Sequence, residues 1–94
     1  MNVLLDGNTI LDREMLHDLL ATELCLPPWY GRNLDALYDC LTDVREDTVV
    51  VLRDRGALEE HLGSYGHRFL RLLEDASRDN PHIRLETIGV PPEK

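Results

Sequence analysis

Three short apolar runs along the chain predict β-strands. The first covers residues 2–6 and ends at a turn signal at Gly7. The second covers residues 48–52, and its unbroken β-branched run TVVVL is typical of a parallel strand that is covered on both faces. The third covers residues 83–88 and predicts the last strand.

Between the first two strands, apolar residues at steps of three and four predict two helices. The first follows Asp12, which is a suitable N-cap, and ends before Pro27. A loop with the sequence Trp-Tyr-Gly, residues 29–31, comes next. The second helix follows Asn33, another good N-cap, and is predicted to run to residue 44 or 45.

Two more helices are predicted between the second and third strands. Residues 57–62 form a short helix that ends at a glycine, and residues 66–79 form a longer one that ends at Asn-Pro. Because helical crossovers return the chain to the same end of a sheet, this order predicts an α/β fold: a three-stranded parallel sheet packed with about four helices. We predict a single domain over residues 1–90 and a loose C-terminal tail at residues 91–94.

Composition and charge limit the classes of function. The 94-residue chain carries 18 acidic and 10 basic residues, a formal net charge of -8. This balance disfavours direct binding to nucleic acid, because phosphate contacts need clustered Lys and Arg, and it makes a basic protein the natural partner. The sequence contains neither an apolar run of roughly 20 residues nor a signal-peptide pattern, so we expect a cytoplasmic protein with no membrane partner.

The sequence predicts no metal site, no cofactor and no catalytic site. The four histidines are scattered, without a recognised ligand spacing. Cys25 and Cys40 are expected to be reduced core residues rather than a disulfide. Asp35 and Asp39 could form an acid and base pair only in a sheltered cleft, which a convex helix face on a small domain rarely supplies. We therefore expect a protein that is not an enzyme.

The second predicted helix carries like charges on one side. Advancing 100° per residue from Asp35 places Asp39 at about 40° and Asp43 at about 80°. We call these three residues the acidic stripe; Glu46 would join it if the helix reached that far. The apolar residues of the helix fall on the opposite side, where they can be buried. One interpretation is simply the solvated side of an amphipathic helix.

Three features favour a binding surface instead. Residues 33–44 contain no Lys or Arg, although each like-charged pair four residues apart costs about 0.2 to 0.5 kcal/mol. Asp43 lies near the helix C-terminus, where the helix dipole disfavours an anion. Trp29 and Tyr30 precede the stripe on a restricted loop, and we expect one of them to anchor this loop in the core. An aromatic beside carboxylates is typical of a surface that binds a cationic partner.

Residues 27–42, PPWYGRNLDALYDCLT, strongly resemble the barstar family, and weaker similarity extends over nearly the whole chain. The resemblance implies an intracellular inhibitor that forms a 1:1 complex with a basic, extracellular-type microbial ribonuclease of the barnase kind. The acidic helix and the loop before it would plug the active site, with a carboxylate in place of an RNA phosphate. The general rules on interface hot spots and on electrostatically steered association were drawn partly from this family.

The resemblance also implies roles for individual residues. Asp39 matches the central, phosphate-mimicking carboxylate, and Asp35 matches a second anchor. Trp29 matches an aromatic that stacks on the enzyme's catalytic histidine, while Tyr38 stands where the family has tryptophan. The remaining residues predicted to contact the partner are Tyr30, Gly31, Asn33, Leu34, Thr42, Asp43 and Asp75.

The match to the family is looser at several places, including Pro28 in place of a glutamate, Trp29 in place of a tyrosine and Asp43 in place of a glycine. The acid expected on the fourth helix is matched by Asp75 or, alternatively, by Glu74. Arg32 replaces an acid beside a surface meant to meet cations, and Val44 replaces a tryptophan. These departures leave a second hypothesis open, namely a barstar-like interaction module that binds a different basic protein.

Overall fold

The computed structural model describes residues 1–89, and the predicted loose tail at residues 91–94 lies outside this part of the chain. Strands and helices follow one another in the predicted order. The elements are β1 (Asn2–Asp6), α1 (Arg13–Glu23), α2 (Leu34–Thr42), β2 (Thr48–Arg53), α3 (Arg55–Leu62), α4 (Ser64–Asp79) and β3 (Ile83–Ile88).

The three strands form one parallel sheet in the order β1-β2-β3. In this register Leu4 of β1 lies opposite Val51 of β2, which lies opposite Glu86 of β3. The prediction of an α/β fold with a three-stranded parallel sheet and four helices is confirmed.

Only one face of the sheet is deeply buried. Along β1, Val3 and Leu5 are fully buried, whereas Leu4 between them is 52% exposed. On β2, Val49 and Val51 are only partly buried. The expectation that β2 is covered on both faces was therefore wrong, because an apolar run alone does not distinguish a strand buried on two sides from one with a half-covered outer face.

Three helix ends differ from those predicted. Helices α3 and α4 begin at Arg55 and Ser64, each two residues earlier than expected. Asp54 sets the start of α3, because its side chain accepts a hydrogen bond from the amide of Ala57 while its own φ is 56°. Helix α2 ends at Thr42, before the predicted residue 44 or 45.

The early end of α2 has a tertiary cause. The side-chain amide of Asn80, which is 4% exposed, donates hydrogen bonds of 2.9 Å to the carbonyl oxygens of Leu41 and Val44. Its oxygen accepts a 2.9 Å hydrogen bond from the amide of His82. Carbonyls at a helix C-terminus have no partner within the helix. Asn80 supplies one, and it ties the end of α2 to the turn between α4 and β3.

Burial of leucines fixes how α2 faces the rest of the domain. Leu37 and Leu41 are fully buried and belong to the same core cluster as Phe69 and Leu73 of α4. Burying a leucine side chain stabilises the fold by about 1.5 to 3 kcal/mol. Rotation of α2 about its axis would expose both leucines, so the orientation of its opposite side is set by the core.

We expect Asn80→Ala to lower the free energy of unfolding by at least about 2 kcal/mol, because it removes three hydrogen bonds made by a side chain that is 4% exposed. Urea denaturation followed by circular dichroism measures this change. The exposed Asn8→Ala is the control and should change stability by less than about 0.5 kcal/mol. Equal losses from the two variants would contradict the role given to Asn80.

Candidate functional site

Helix α2 begins at a side-chain cap. Asn33 has extended backbone dihedrals, and its Oδ1 accepts a 2.8 Å hydrogen bond from the amide of Ala36, as predicted for an N-cap. Asp35 lies in the first turn, where the positive end of the helix dipole favours a carboxylate. The cap and the dipole together fix the end of α2 that follows the loop.

The acidic stripe faces solvent. Asp35, Asp39 and Asp43 are all exposed, on the side of α2 opposite the buried Leu37 and Leu41. Within residues 1–89, none of the three carboxylates forms an ion pair with a basic group. The stripe therefore presents negative charge that this part of the chain does not neutralise.

The stripe keeps three carboxylates, those of Asp35 and Asp39 within α2 and that of Asp43 at its C-cap, and Glu46 does not extend it. Because α2 ends at Thr42, Glu46 lies beyond the helix, and its carboxylate is 3.7 Å from the N-terminal ammonium of Met1. The pKa of the Cys40 thiol is raised, mainly because the thiol is partly buried. The negative charges of Asp39 and Asp43 raise it further.

The loop before α2 turns one aromatic inward and the other outward. Tyr30 is 8% exposed, and its amide donates a 3.0 Å hydrogen bond to the carbonyl of Pro27. Trp29 is 82% exposed. The expectation that one of the two anchors the loop is confirmed. The side chain of Tyr30 is too buried for the predicted partner contact, so we assign Tyr30 to positioning the loop. Of the two aromatics, Trp29 is the one whose side chain faces solvent.

A buried histidine holds this anchor in place. His17 of α1 is 2% exposed, with its Nδ1 2.6 Å from the hydroxyl of Tyr30 and its Nε2 2.7 Å from the hydroxyl of Tyr65 on α4. Burial, and then the charges of Arg32 and Arg13, lower the pKa of His17. Burial likewise raises the pKa of Tyr30.

Sequence reasoning treated His17 as one of several scattered histidines and missed this role. The available signal was its spacing, because His17 precedes Leu20 by three residues and Leu24 by seven and so shares the inward side of α1.

Arg32 does not offset the acidic stripe. Its backbone adopts the left-handed conformation, with a φ of 57°, and the side chain reaches back to α1. There Nη2 lies 2.6 Å from the carboxylate of Asp18 and 3.3 Å from the carbonyl oxygen of Glu14. The positive charge that departed from the family pattern is thus paired on α1.

Helix α4 contributes acids beside Tyr38. A groove of about 470 Å³ between α2 and α4 is lined in part by Tyr38, Asp39 and Asp75. The hydroxyl of Tyr38 donates a hydrogen bond to Asp79, which raises the pKa of Tyr38. Asp79 was missed from the sequence, although it follows Asp75 by four residues and so lies on the same side of α4.

Of the two acids considered on α4, only Asp75 borders this groove. Its carboxylate is 2.8 Å from Arg78 on the same helix. Glu74 instead lines a separate depression and lies 3.9 Å from Arg55. The geometry therefore groups Asp75, and not Glu74, with the acidic stripe.

The remaining predicted contact residues surround the stripe. Gly31 and Asn33 are exposed, while Leu34 and Thr42 are half-buried. The hydroxyl of Thr42 donates to the carbonyl of Tyr38 at 2.9 Å, so it is already used within the helix. A Cβ at Gly31 would lie 3.2 Å from both the Cβ of Ala36 and the side-chain nitrogen of Asn33, which is a tight fit.

Other chemistry is sparse in residues 1–89. Cys25 and Cys40 are free thiols, and the expectation that both lie in the core was wrong for Cys25, which is exposed. Among these residues, no three or more His, Cys, Asp or Glu side chains are grouped closely enough to hold a metal ion. In this same range no helix combines the length and the apolar character needed to span a bilayer.

A sequence model of the family described as Barstar (barnase inhibitor) matches residues 1–88. The chain belongs to the barstar family. It is also 38% identical over 78 residues to a Bacillus subtilis (strain 168) protein whose name reads "Putative ribonuclease inhibitor YrdF". That alignment covers 82% of this chain and 86% of the relative.

The family assignment agrees with the architecture. The matched region contains every strand and helix from β1 to β3, including the loop and helix that carry the predicted contact residues. A barstar-family domain therefore presents here an exposed tryptophan and an acidic stripe side by side on one connected segment, residues 29–43.

We expect His17 to make the protein less stable as the pH is lowered from 7 through 6.5, the ordinary pKa of histidine. The folded state holds the pKa of His17 below that value, so in this range the unfolded chain binds more protons than the folded one. The contribution is complete above the ordinary pKa and is lost below it, with a slope of at most about 1.4 kcal/mol per pH unit.

His17→Gln tests this assignment, since glutamine can still donate and accept hydrogen bonds but does not titrate. Urea unfolding between pH 7 and pH 5 should give a flatter dependence for His17→Gln than for the wild type. His67→Gln, which removes a histidine whose side chain is 66% exposed and 3.5 Å from Glu59, is the comparison variant, and its dependence should stay steeper than that of His17→Gln. A wild-type slope in both variants would refute the role of His17.

Proposed function

We propose that this barstar-family protein is a ribonuclease inhibitor that blocks the active site of a basic, extracellular-type microbial ribonuclease of the barnase kind. The inhibitor binds one enzyme molecule through the acidic stripe of α2 and the loop before it. One observation carries the proposal: Asp35, Asp39 and Asp43 are exposed and form no ion pair within residues 1–89.

Inhibition follows from the chemistry of the enzyme's site. A ribonuclease binds the phosphates of RNA through cationic side chains, and a carboxylate accepts charge-assisted hydrogen bonds from the same groups. Asp39 lies in the middle of the stripe and takes the phosphate position, while Asp35 is the second anchor. The substrate is then excluded by occupancy alone, so inhibition is competitive and the inhibitor itself catalyses nothing.

The surroundings of the stripe provide apolar contact and rigidity. Trp29, 82% exposed, stacks on the catalytic histidine of the enzyme. Tyr38 and Asp75 contact the enzyme across the groove between α2 and α4. Because the loop is anchored through Tyr30 and the helix through its leucines, little conformational freedom is lost on binding, which favours affinity.

The location of the protein follows from this role. An inhibitor that protects a cell from its own secreted ribonuclease acts in the cytoplasm, before the enzyme leaves. This cytoplasmic, antitoxin-like role rests on the family and on the composition of the chain, and neither direct nucleic-acid binding nor membrane binding is part of it.

A second candidate function is a barstar-like module that binds a basic protein other than a ribonuclease. Val44 motivates it, because this side chain is half-buried against the core where the family presents a tryptophan. Titration calorimetry against a panel of small basic microbial ribonucleases separates the two functions. Binding to none of them by a folded sample favours the module.

We expect Asp39→Ala to weaken inhibition of a ribonuclease that the wild type binds by at least about 2 kcal/mol, the level that defines an interface hot spot. The loss arises because the cations of the enzyme's active site stay buried without a counter-charge. Inhibition constants from RNA-cleavage assays at fixed ionic strength measure it.

Glu60→Ala is the matched control for Asp39→Ala. Glu60 is exposed on α3, and its removal changes the net charge by the same amount. This control should change inhibition by less than about 0.5 kcal/mol, as expected for a surface position outside the interface. If the two variants weakened inhibition equally, the acidic stripe would not be the binding surface.

Association should be fast at low salt and slow steeply as salt is added. The chain carries a net charge of -8, and its attraction to a basic enzyme is screened over about 10 Å at 0.1 M ionic strength. Stopped-flow measurement of the association rate across a sodium chloride series tests this expectation. The dissociation rate should change much less, and a salt-independent association rate would argue against electrostatic steering.

A further inference from the structure

A second surface of opposite charge adjoins the acidic stripe. A groove of about 740 Å³ lies between α1, the start of α2 and α4, and Arg13, Arg32 and Arg68 are among the residues that line it. We call it the arginine groove. Three arginines around one groove are unexpected in a chain with a net charge of -8.

Two of these arginines are held over the ring of Tyr65. The guanidinium carbons of Arg13 and Arg68 lie 5.1 and 5.4 Å from the centre of the ring, within the range of cation–π attraction. Tyr65 is itself fixed by its hydrogen bond to His17. The two cations are therefore positioned by the fold, although neither forms an ion pair with a carboxylate within residues 1–89.

The groove is also lined by negative charge, which affects whether it binds an anion in the free protein or only in a complex. Glu14 and Asp35 border it, and Arg32 is already paired with Asp18. In the free protein the charges of the lining nearly balance. A complex changes this balance, because Asp35 is then engaged by a cation of the enzyme.

The groove is continuous with the proposed interface. Leu34, Asp35 and Arg68 line both the arginine groove and the groove beside Tyr38 and Asp39. An enzyme seated on the acidic stripe would therefore reach Arg68 at the mouth of the arginine groove and remove water there. Burying cations without a counter-charge is costly, so a partner that supplied only cations here would bind poorly.

We propose that the arginine groove receives a carboxylate side chain of the partner ribonuclease, which pairs with Arg68 and Arg13. This inference rests on the proposed function and adds to it: the interface is two-signed, with the inhibitor's acids on the enzyme's cations and an enzyme acid on the inhibitor's arginines. Such an arrangement selects among basic ribonucleases, because one that lacks the acid leaves two buried cations unpaired.

Charge reversal distinguishes this local pairing from general attraction. Arg68→Glu makes the inhibitor more acidic and should, by long-range attraction alone, speed association with a basic enzyme. Loss of the local pair should at the same time raise the dissociation rate by about tenfold or more. The experiment uses stopped-flow association and surface-plasmon dissociation with the ribonuclease that the wild type inhibits most strongly in the panel.

Arg84→Glu is the matched control. Arg84 is exposed on β3, and its reversal changes the net charge by the same amount. It should speed association slightly and leave dissociation at the wild-type rate. Arg68→Gln, with a smaller perturbation, should also raise the dissociation rate, and urea unfolding of each variant separates this effect from a loss of stability through Tyr65.

The outcomes distinguish a failure of the arginine-groove proposal from a failure of the proposed function. Suppose that Arg68→Glu and Arg68→Gln dissociate at the wild-type rate while Asp39→Ala dissociates faster. This result would refute the pairing of an enzyme carboxylate with the arginine groove and would support binding through the acidic stripe. If the wild type binds no ribonuclease of the panel, both proposals fail. If inorganic phosphate raises the melting temperature of the wild type but not of Arg13→Gln/Arg68→Gln, the groove holds a free anion instead. Self-association abolished by Arg68→Glu would assign it to a second copy.

Discussion

The inward burial of Leu37 and Leu41 is the constraint on which the proposed binding surface depends. Both leucines are fully buried, and they leave α2 one orientation relative to the sheet and α4. Because the stripe lies on the opposite side of a nine-residue helix, its direction is decided by the core and not by any interaction of the carboxylates themselves. Hydrophobic packing thus places charges that have no partner within the described part of the chain.

Two buried polar side chains fix the ends of the segment that α2 belongs to. His17 holds the preceding loop through the hydroxyl of Tyr30, and Asn80 holds the following turn through the carbonyls of Leu41 and Val44. His17 lies on the preceding helix α1, whereas Asn80 is 39 positions away from Leu41, so tertiary contacts as well as local ones hold this segment. Preorganisation of this kind lowers the cost of ordering on binding.

Much of the fold could be predicted from the sequence, because strands and helices were marked by periodic apolar residues and by caps such as Asn33. Helix ends were less accessible, since the end of α2 depends on Asn80, a residue 39 positions away from Leu41. The outer face of the sheet was also missed, because an apolar run gives no information on what covers it.

The candidate site, like the fold, could be predicted only in part from the sequence. The acidic stripe followed from a helical wheel, whereas the choice between Trp29 and Tyr30 needed a tertiary partner, His17. Arg32 looked like a departure that would weaken a cation-binding surface. Its left-handed backbone conformation turns the charge onto Asp18, which the sequence could not indicate because any residue other than glycine is uncommon there.

The like charges on one side of α2 lower the stability of the free protein, although they are the groups proposed to bind a partner. A helix of nine residues is marginal in isolation, and like charges along one side make it less stable by a few tenths of a kcal/mol for each pair. Neutralising Asp39 or Asp43 from within would stabilise the free protein but would also occupy the carboxylates of the proposed binding surface. The anchors at both ends of α2 resolve this conflict, because they hold the helix by buried contacts that do not involve its charged side. The stripe can therefore stay unpaired until a partner supplies the opposite charge.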